Sequence, residues 1–161
     1  MLRCLEEKDA SFMLEWMHDS EINCNFQVDF AALTMESALN FINNSFDEEN
    51  QHFAFVDEND EYLGTISLKH ISHKNDSAEY AIAARRKAQG TGAAMQATLE
   101  VLEYAFEKLK LHRVYLNVLE DNVRAQKLYE KCGFVYEGSA VEAVKLNGVY
   151  RTLKWYGIIK R

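Results

Sequence analysis

The stretch Glu79-Tyr-Ala-Ile-Ala-Ala-Arg-Arg-Lys-Ala-Gln89-Gly-Thr-Gly-Ala-Ala94 decides the reading of this chain. An apolar, strand-like run stops at three cations, Arg85, Arg86 and Lys87, and a Gln-Gly-Thr-Gly turn opens into a long helix beginning near Ala93. Glycines let the backbone approach a ligand closely. The first amides of a helix lack internal partners and carry the positive end of its dipole. Together these features predict an anion site, most naturally one for phosphate. The residues also allow a plainer reading, in which Gly90 and Gly92 merely shape a tight strand-to-helix connection. Two familiar phosphate loops are excluded: no lysine follows Gly92 at P-loop spacing, and Met95 stands where a dinucleotide fingerprint needs its third glycine.

Upstream, residues 2–5 suit a short strand, and Asp9 or Ser11 can cap a helix carrying Phe12, Met13, Trp16 and Met17. Residues 19–30 read as irregular. A second helix starts at Thr34, with Leu39, Phe41, Ile42 and Phe46 as its apolar members. Residues 52–56 and 62–68 form an antiparallel pair around the acidic turn 57–61, and residues 78–83 form the next strand. Downstream, Met95, Leu99, Leu102, Phe106 and Leu109 recur at helical spacing. Residues 112–119 form a strand, and Asn122 can begin a helix carrying Val123, Ala125, Leu128 and Tyr129. Gly133 ends it in the left-handed conformation. Strands follow at 134–137 and 149–158, the latter after the Asn147-Gly148 turn. The order βααβββαβαββ predicts an α/β (α+β) fold, a mixed sheet covered by helices on both sides.

The bulk numbers agree. A chain of 161 residues with 48% hydrophobic content suits one domain with a proper core. Its net charge of −7 argues against general nucleic-acid binding. The charged first residues do not form a signal peptide, and no apolar run reaches membrane length. The three cysteines, Cys4, Cys24 and Cys132, form neither a CxxC pair nor a metal-like cluster. These features predict a soluble protein of the reducing cytoplasm with no metal and no membrane partner.

A second motif lies in Asn122-Val-Arg-Ala-Gln-Lys-Leu-Tyr129-Glu-Lys-Cys-Gly-Phe134. It fits N-x-x-A-x-x-x-Y-x-x-x-G-F at every position, and Gln89 to Ala94 fits [Q/R]-x-x-G-x-[G/A]. In these two motifs, in this order, the chain resembles the GNAT superfamily of N-acetyltransferases. The resemblance covers nearly the whole chain and is strongest from about Ala78 to Tyr156. Leu111-His-Arg-Val-Tyr-Leu and Leu146-Asn-Gly-Val-Tyr-Arg are similar to the branch of ribosomal-protein N-terminal and spermidine acetyltransferases. The segment from Glu15 to Ile22 is similar to acetyltransferases of nucleotide-linked amino sugars.

The resemblance implies a single N-acetyltransferase domain over residues 1–161 with a sheet of about seven strands, and acetyl-CoA as co-substrate. Its pyrophosphate would meet the backbone of Gln89, Gly90, Thr91, Gly92, Ala93 and Ala94. Its pantetheine arm would pair with the strand edge at Ile82, Ala83 and Ala84 and lie near Asn122 and Ala125. Tyr129 would protonate the departing thiolate, its alternative being a core residue. Asn122 is equally a plain helix cap. Glu79 is the best carboxylate for a base, and a solvent-facing strand glutamate is its alternative. His112 and His52 are candidates by type that no spacing ties to the site. Trp16, Phe26 and Phe30 would wall an amine pocket, although Trp16 also suits plain core. The acceptor is a primary amine: a protein N-terminus, a polyamine or a nucleotide-linked amino sugar. The late strands support dimers in this family, so a homodimer is a further expectation. The competing reading is a non-enzymatic acyl-CoA-binding or regulatory module on the same fold.

Overall fold

The two-residue period of the strands divides the core in two. The computed structural model describes residues 1–161. Its strands are β1 (Leu2–Cys4), β2 (Gln51–Val56), β3 (Tyr62–Ser72), β4 (Ser77–Ala84), β5 (Arg113–Leu119), β6 (Val135–Leu146) and β7 (Val149–Ile159). Its helices are α1 (Ala10–Met17), α2 (Ser20–Asn23), α3 (Met35–Asn43), α4 (Ala93–Glu103) and α5 (Val123–Lys131). The strands make one sheet in the order β1-β2-β3-β4-β5-β7-β6. Every neighbouring pair is antiparallel except β4 and β5, which run parallel.

Along β2, Phe53 and Phe55 join one core while Ala54 and Val56 join the other. The first core also takes Val114, Leu116 and Val118 of β5, with α4 and α5 above them. The second lies under α1 and α3 and centres on Met13, Trp16, Ile42 and Tyr62. Helices therefore cover both faces, as the order of elements requires.

Several expectations are corrected. Leu99 is 46% exposed, and α4 buries Ala97, Thr98 and Val101 beside the expected Leu102. The Thr98 hydroxyl pairs with the buried Tyr80 hydroxyl at 2.7 Å, which sets the rotation of the helix on the sheet. Beyond Glu103 the helix widens into π turns over Tyr104–Lys108 that bury Ala105. Phe46 lies outside α3, in a single bridge to Gln51, and is exposed. Val123 is exposed too. The irregular segment contains the short α2, capped by Asp19. Strand β6 runs well past residue 137, because register shifts between Tyr136 and Gly138 and between Ala140 and Val144 interrupt the alternation that marks a strand. Asn147 and Gly148 both have positive φ (49° and 79°), as a two-residue hairpin turn requires.

Candidate active site

The parallel pairing of β4 and β5 is short: Ser77 with Arg113, Ala78 with Val114 and Glu79 with Tyr115. Past Glu79 the strands separate, while β4 stays paired to β3 as far as Ala84 and β5 to β7 as far as Leu119. The inner edge of β4 is left open. Arg85 donates its N–H to Leu63 O on β3. Two-residue alternation then directs the backbone groups of Ala83 toward β3 and those of Ile82 and Ala84 into the gap. Of the three residues expected to offer edge groups, Ile82 and Ala84 do so; Ala83 faces its partner Thr65 instead.

At the end of β4 the chain turns through Gln89-Gly-Thr-Gly into α4. Gly90 (φ 75°) and Gly92 (φ 81°) are left-handed, and a Cβ built on either meets nothing within 4 Å. The Thr91 hydroxyl closes the turn, donating to Ala88 O at 2.6 Å and accepting from Ala93 N at 3.2 Å. The N–H groups of Gly90, Gly92, Ala94 and Met95 have no partner within the protein. They form an open cradle of donors at a helix start, which fits a pyrophosphate. Two further bonds hold the cradle. The Thr98 hydroxyl, paired with Tyr80 of β4, also bonds Ala94 O at 2.7 Å, and Arg124 of α5 donates to the Gln89 side chain at 2.8 Å.

The three cations have other duties. Arg85 is buried, reaching Glu15 at 2.5 Å, Glu61 and Tyr62 O each at 2.8 Å, with Phe12 beneath its guanidinium at 4.3 Å. Arg86 pairs with Asp19 and Lys87 with Glu61. These contacts lock the end of β4 to α1 and the β2–β3 turn. Their charge is neutralised there, so the cradle consists of backbone amides.

A cavity of about 490 Å³ starts at the gap and runs under α1 and α3. Tyr129 and Asn122 stand at its β5 side, Glu79, Ala81, Ile82 and Ala83 along β4. Asn122 accepts from Ala125 N at 3.3 Å, so it caps α5 and lines the cavity together. Ala125 is half-buried against the first core. The Tyr129 ring packs edge-on against Tyr80 at 5.6 Å. Burial, reinforced by Cys132, pushes its phenol well above the ordinary tyrosine value, so it stays protonated at physiological pH. Glu79 pairs with Lys69 at 3.0 Å.

Trp16, Phe26 and Phe30 form one aromatic cluster on the wall, with Trp16 and Phe30 centroids 4.9 Å apart. Trp16 is also core: it is 3% exposed and donates to the Tyr62 hydroxyl at 2.9 Å. The structure adds residues that no motif marks. His52 Nδ1 lies 2.6 Å from Ser67 Oγ, and its ring rests on Phe41 at 4.6 Å. Burial, then the Lys69 charge, lowers the His52 pKa to about 4. His52 and Ser67 enter the cavity through sheet register, which no local spacing signals. His112 is exposed and is not among the lining residues. No group of three His, Cys, Asp or Glu side chains converges at metal-ligating distance.

A spermidine N(1)-acetyltransferase of Vibrio cholerae is 34% identical over 95% of this chain and 88% of its own length. The crystal structure of spermidine N-acetyltransferase from Vibrio cholerae in complex with CoA and spermine has a TM-score of 0.90 to this fold. Its identity is 31%, covering 99% of this chain and 94% of that one. A putative ribosomal N-acetyltransferase, YdaF of Bacillus subtilis, is 32% identical over 61% of this chain and 54% of its own length. Residues 1–135 match the acetyltransferase (GNAT) domain family. The open β4 edge, the amide cradle and this match agree, and the chain belongs to the GNAT acetyltransferase family as an acetyl-CoA-dependent N-acetyltransferase.

Proposed function

We propose that the acceptor amine enters through the cavity beneath α1 and α3 and is acetylated where that cavity meets the gap between β4 and β5. The observation that carries this reading is the placement of Tyr129, Asn122 and Glu79 on one continuous cavity. Bound acetyl-CoA supplies the thioester that the amine attacks. The free N–H groups of Gly90, Gly92, Ala94 and Met95 hold its diphosphate, those of Gln89, Thr91 and Ala93 being bonded within the turn. The Ile82 and Ala84 edge, with Asn122 and Ala125 across the gap, holds its arm.

An alkyl amine has a pKa near 10, so it must lose a proton before it attacks. Glu79 takes that proton, directly or through water, while Lys69 keeps the carboxylate oriented. A backbone N–H of β4 facing the gap stabilises the oxyanion. Tyr129 keeps its proton at neutral pH and gives it to the departing thiolate. Acid or base help of this kind is typically worth about 10²–10⁴ in rate. Trp16, Phe26 and Phe30 shape the acceptor wall.

The test is to incubate the protein with acetyl-CoA and an amine panel of peptides, polyamines and amino sugars, following thiol release. Amine-dependent release is expected. Binding of acetyl-CoA with only background release for every amine would replace this reading with the non-catalytic acyl-CoA-binding one. The free cysteines Cys4, Cys24 and Cys132 support a reducing, cytoplasmic setting. The reading includes a homodimer built on the β6–β7 hairpin, where Val135, Tyr136, Val141, Val149 and Tyr150 stand exposed. Sedimentation of the purified chain checks it.

A further inference from the structure

The cavity carries almost no free charge. Lys69 and Glu79 are its only ionised lining side chains, and they pair with each other at 3.0 Å. The nearby carboxylates of α1 and α2 are committed elsewhere: Glu15 to Arg85, and Asp19 and Glu21 to Arg86. Along the walls stand Met13, Trp16, Phe26, Phe30, Leu33 and Phe41.

The far end is set by register. Ser67 on β3 pairs with His52 of β2 on one side and with Ala81 of β4 on the other. His52 therefore lies two strand spacings, about 10 Å, from β4. What waits there is a neutral imidazole bonded to Ser67, with Ser37, Thr65 and Lys69 also on the lining. The one carboxylate whose charge reaches His52, Asp47, is off the lining and accepts from Glu49 N and Asn50 N. One imidazole nitrogen is spoken for by Ser67, leaving Nε2 to serve an incoming group.

A polyamine brings a second ammonium to this end once its first amine sits at the reaction centre. An ammonium buried without a free carboxylate is strongly disfavoured, and the one carboxylate on this lining, Glu79, is already paired with Lys69. A hydroxyl meets hydrogen-bonding partners at no such cost. We infer that the acceptor of this enzyme is a primary amine with a single cationic centre, an apolar or ring-shaped body and a neutral, hydroxyl-type group at its far end, read by His52 and Ser67, rather than a polyamine. The inference deepens the proposed function and rests on it.

Two amines of matched length isolate the question: 5-aminopentan-1-ol and 1,5-diaminopentane differ only in carrying a hydroxyl or an ammonium at the far end. Both are to be measured with the full chain by calorimetric binding in the presence of CoA, and by kcat/KM for thiol release with acetyl-CoA. The amino alcohol is expected to lead by at least about tenfold in both, on the scale of one unpartnered buried charge. His52→Glu, checked for folding by thermal unfolding, should move the ratio toward the diamine by about the same factor. Equal or tighter binding of the diamine by the unsubstituted enzyme overturns the inference, whether or not it turns over. Preferred binding of the amino alcohol with no turnover of either amine upholds the specificity of the pocket and removes the catalytic reading instead.

Discussion

Glu79 and Tyr115 are the last partners across the parallel β4–β5 pair. Beyond them each strand keeps only its outer neighbour, so the sheet opens between two otherwise well-paired halves. The opening lies beside the Glu79–Lys69 ion pair and leads out toward the glycine turn before α4. A single end of pairing thus creates both a backbone edge for a ligand arm and access to the cavity beyond it.

Tyr129 has no duty in the fold that its hydroxyl must perform, because the ring alone packs against Tyr80 and Phe134. Tyr129→Phe is expected to cut kcat at least about tenfold while leaving acetyl-CoA affinity within about twofold. Steady-state kinetics paired with calorimetric binding separates the two. Unchanged turnover would remove Tyr129 from the chemistry.

Gly92 sits at φ 81° with open space where a side chain would go. Gly92→Val should cost about 1–2 kcal/mol in backbone strain and place its methyls over the amide cradle. A rise of at least about tenfold in the Kd for CoA, with a modest fall in melting temperature, is the expected outcome. Undiminished CoA affinity would move the diphosphate site elsewhere.

Gly64 supports β4 from behind. A Cβ there would lie 2.4 Å from Phe55 Cε1 and 2.5 Å from Ala83 O, and the second is backbone. Gly64→Ala should destabilise by about 1–3 kcal/mol, as overpacking does. Because the displaced strand edge borders the cavity, the KM for acetyl-CoA should rise as well. Thermal unfolding and kinetics on the same sample check both.

His52 makes stability depend on pH. Its pKa falls from 6.5 unfolded to about 4 folded, through burial and the Lys69 charge. The unfolded chain therefore binds the extra proton between those values, so stability is full above about pH 6.5 and falls as pH drops toward 4. The loss should be on the order of 2–3 kcal/mol. In His52→Gln that component should vanish from urea-unfolding curves recorded across the window; a persistent slope would assign it to other groups.

Most elements were legible because their signals are local. Thr34 announces α3 and caps it, and Asn122 does the same for α5. On α4 the spacing misled only at Leu99: Leu102 is core, and Met95, Phe106 and Leu109 pack against it. Burial there follows the Tyr80–Thr98 bond, which pairs residues 18 apart in sequence. The cations Arg85, Arg86 and Lys87 counted toward the anion site in the sequence, and tertiary contacts supply Glu15, Asp19 and Glu61 as their partners.

By itself, the amino-acid sequence determined the glycine turn and the open amides at the start of α4. Gly90, Gly92 and the start of α4 are neighbours along the chain, and their conformations follow from short-range sterics and unpaired helix amides. Trp16, Phe26 and Phe30 were named from the sequence, but what they meet across the cavity was decided by the tertiary structure. Sheet register brings His52, Ser67 and Ala81 into one row, and the α1–α3 segment lays Trp16, Phe26 and Phe30 over it. The charge of that space depends on which side chains meet across dozens of residues, a property that no window of sequence contains.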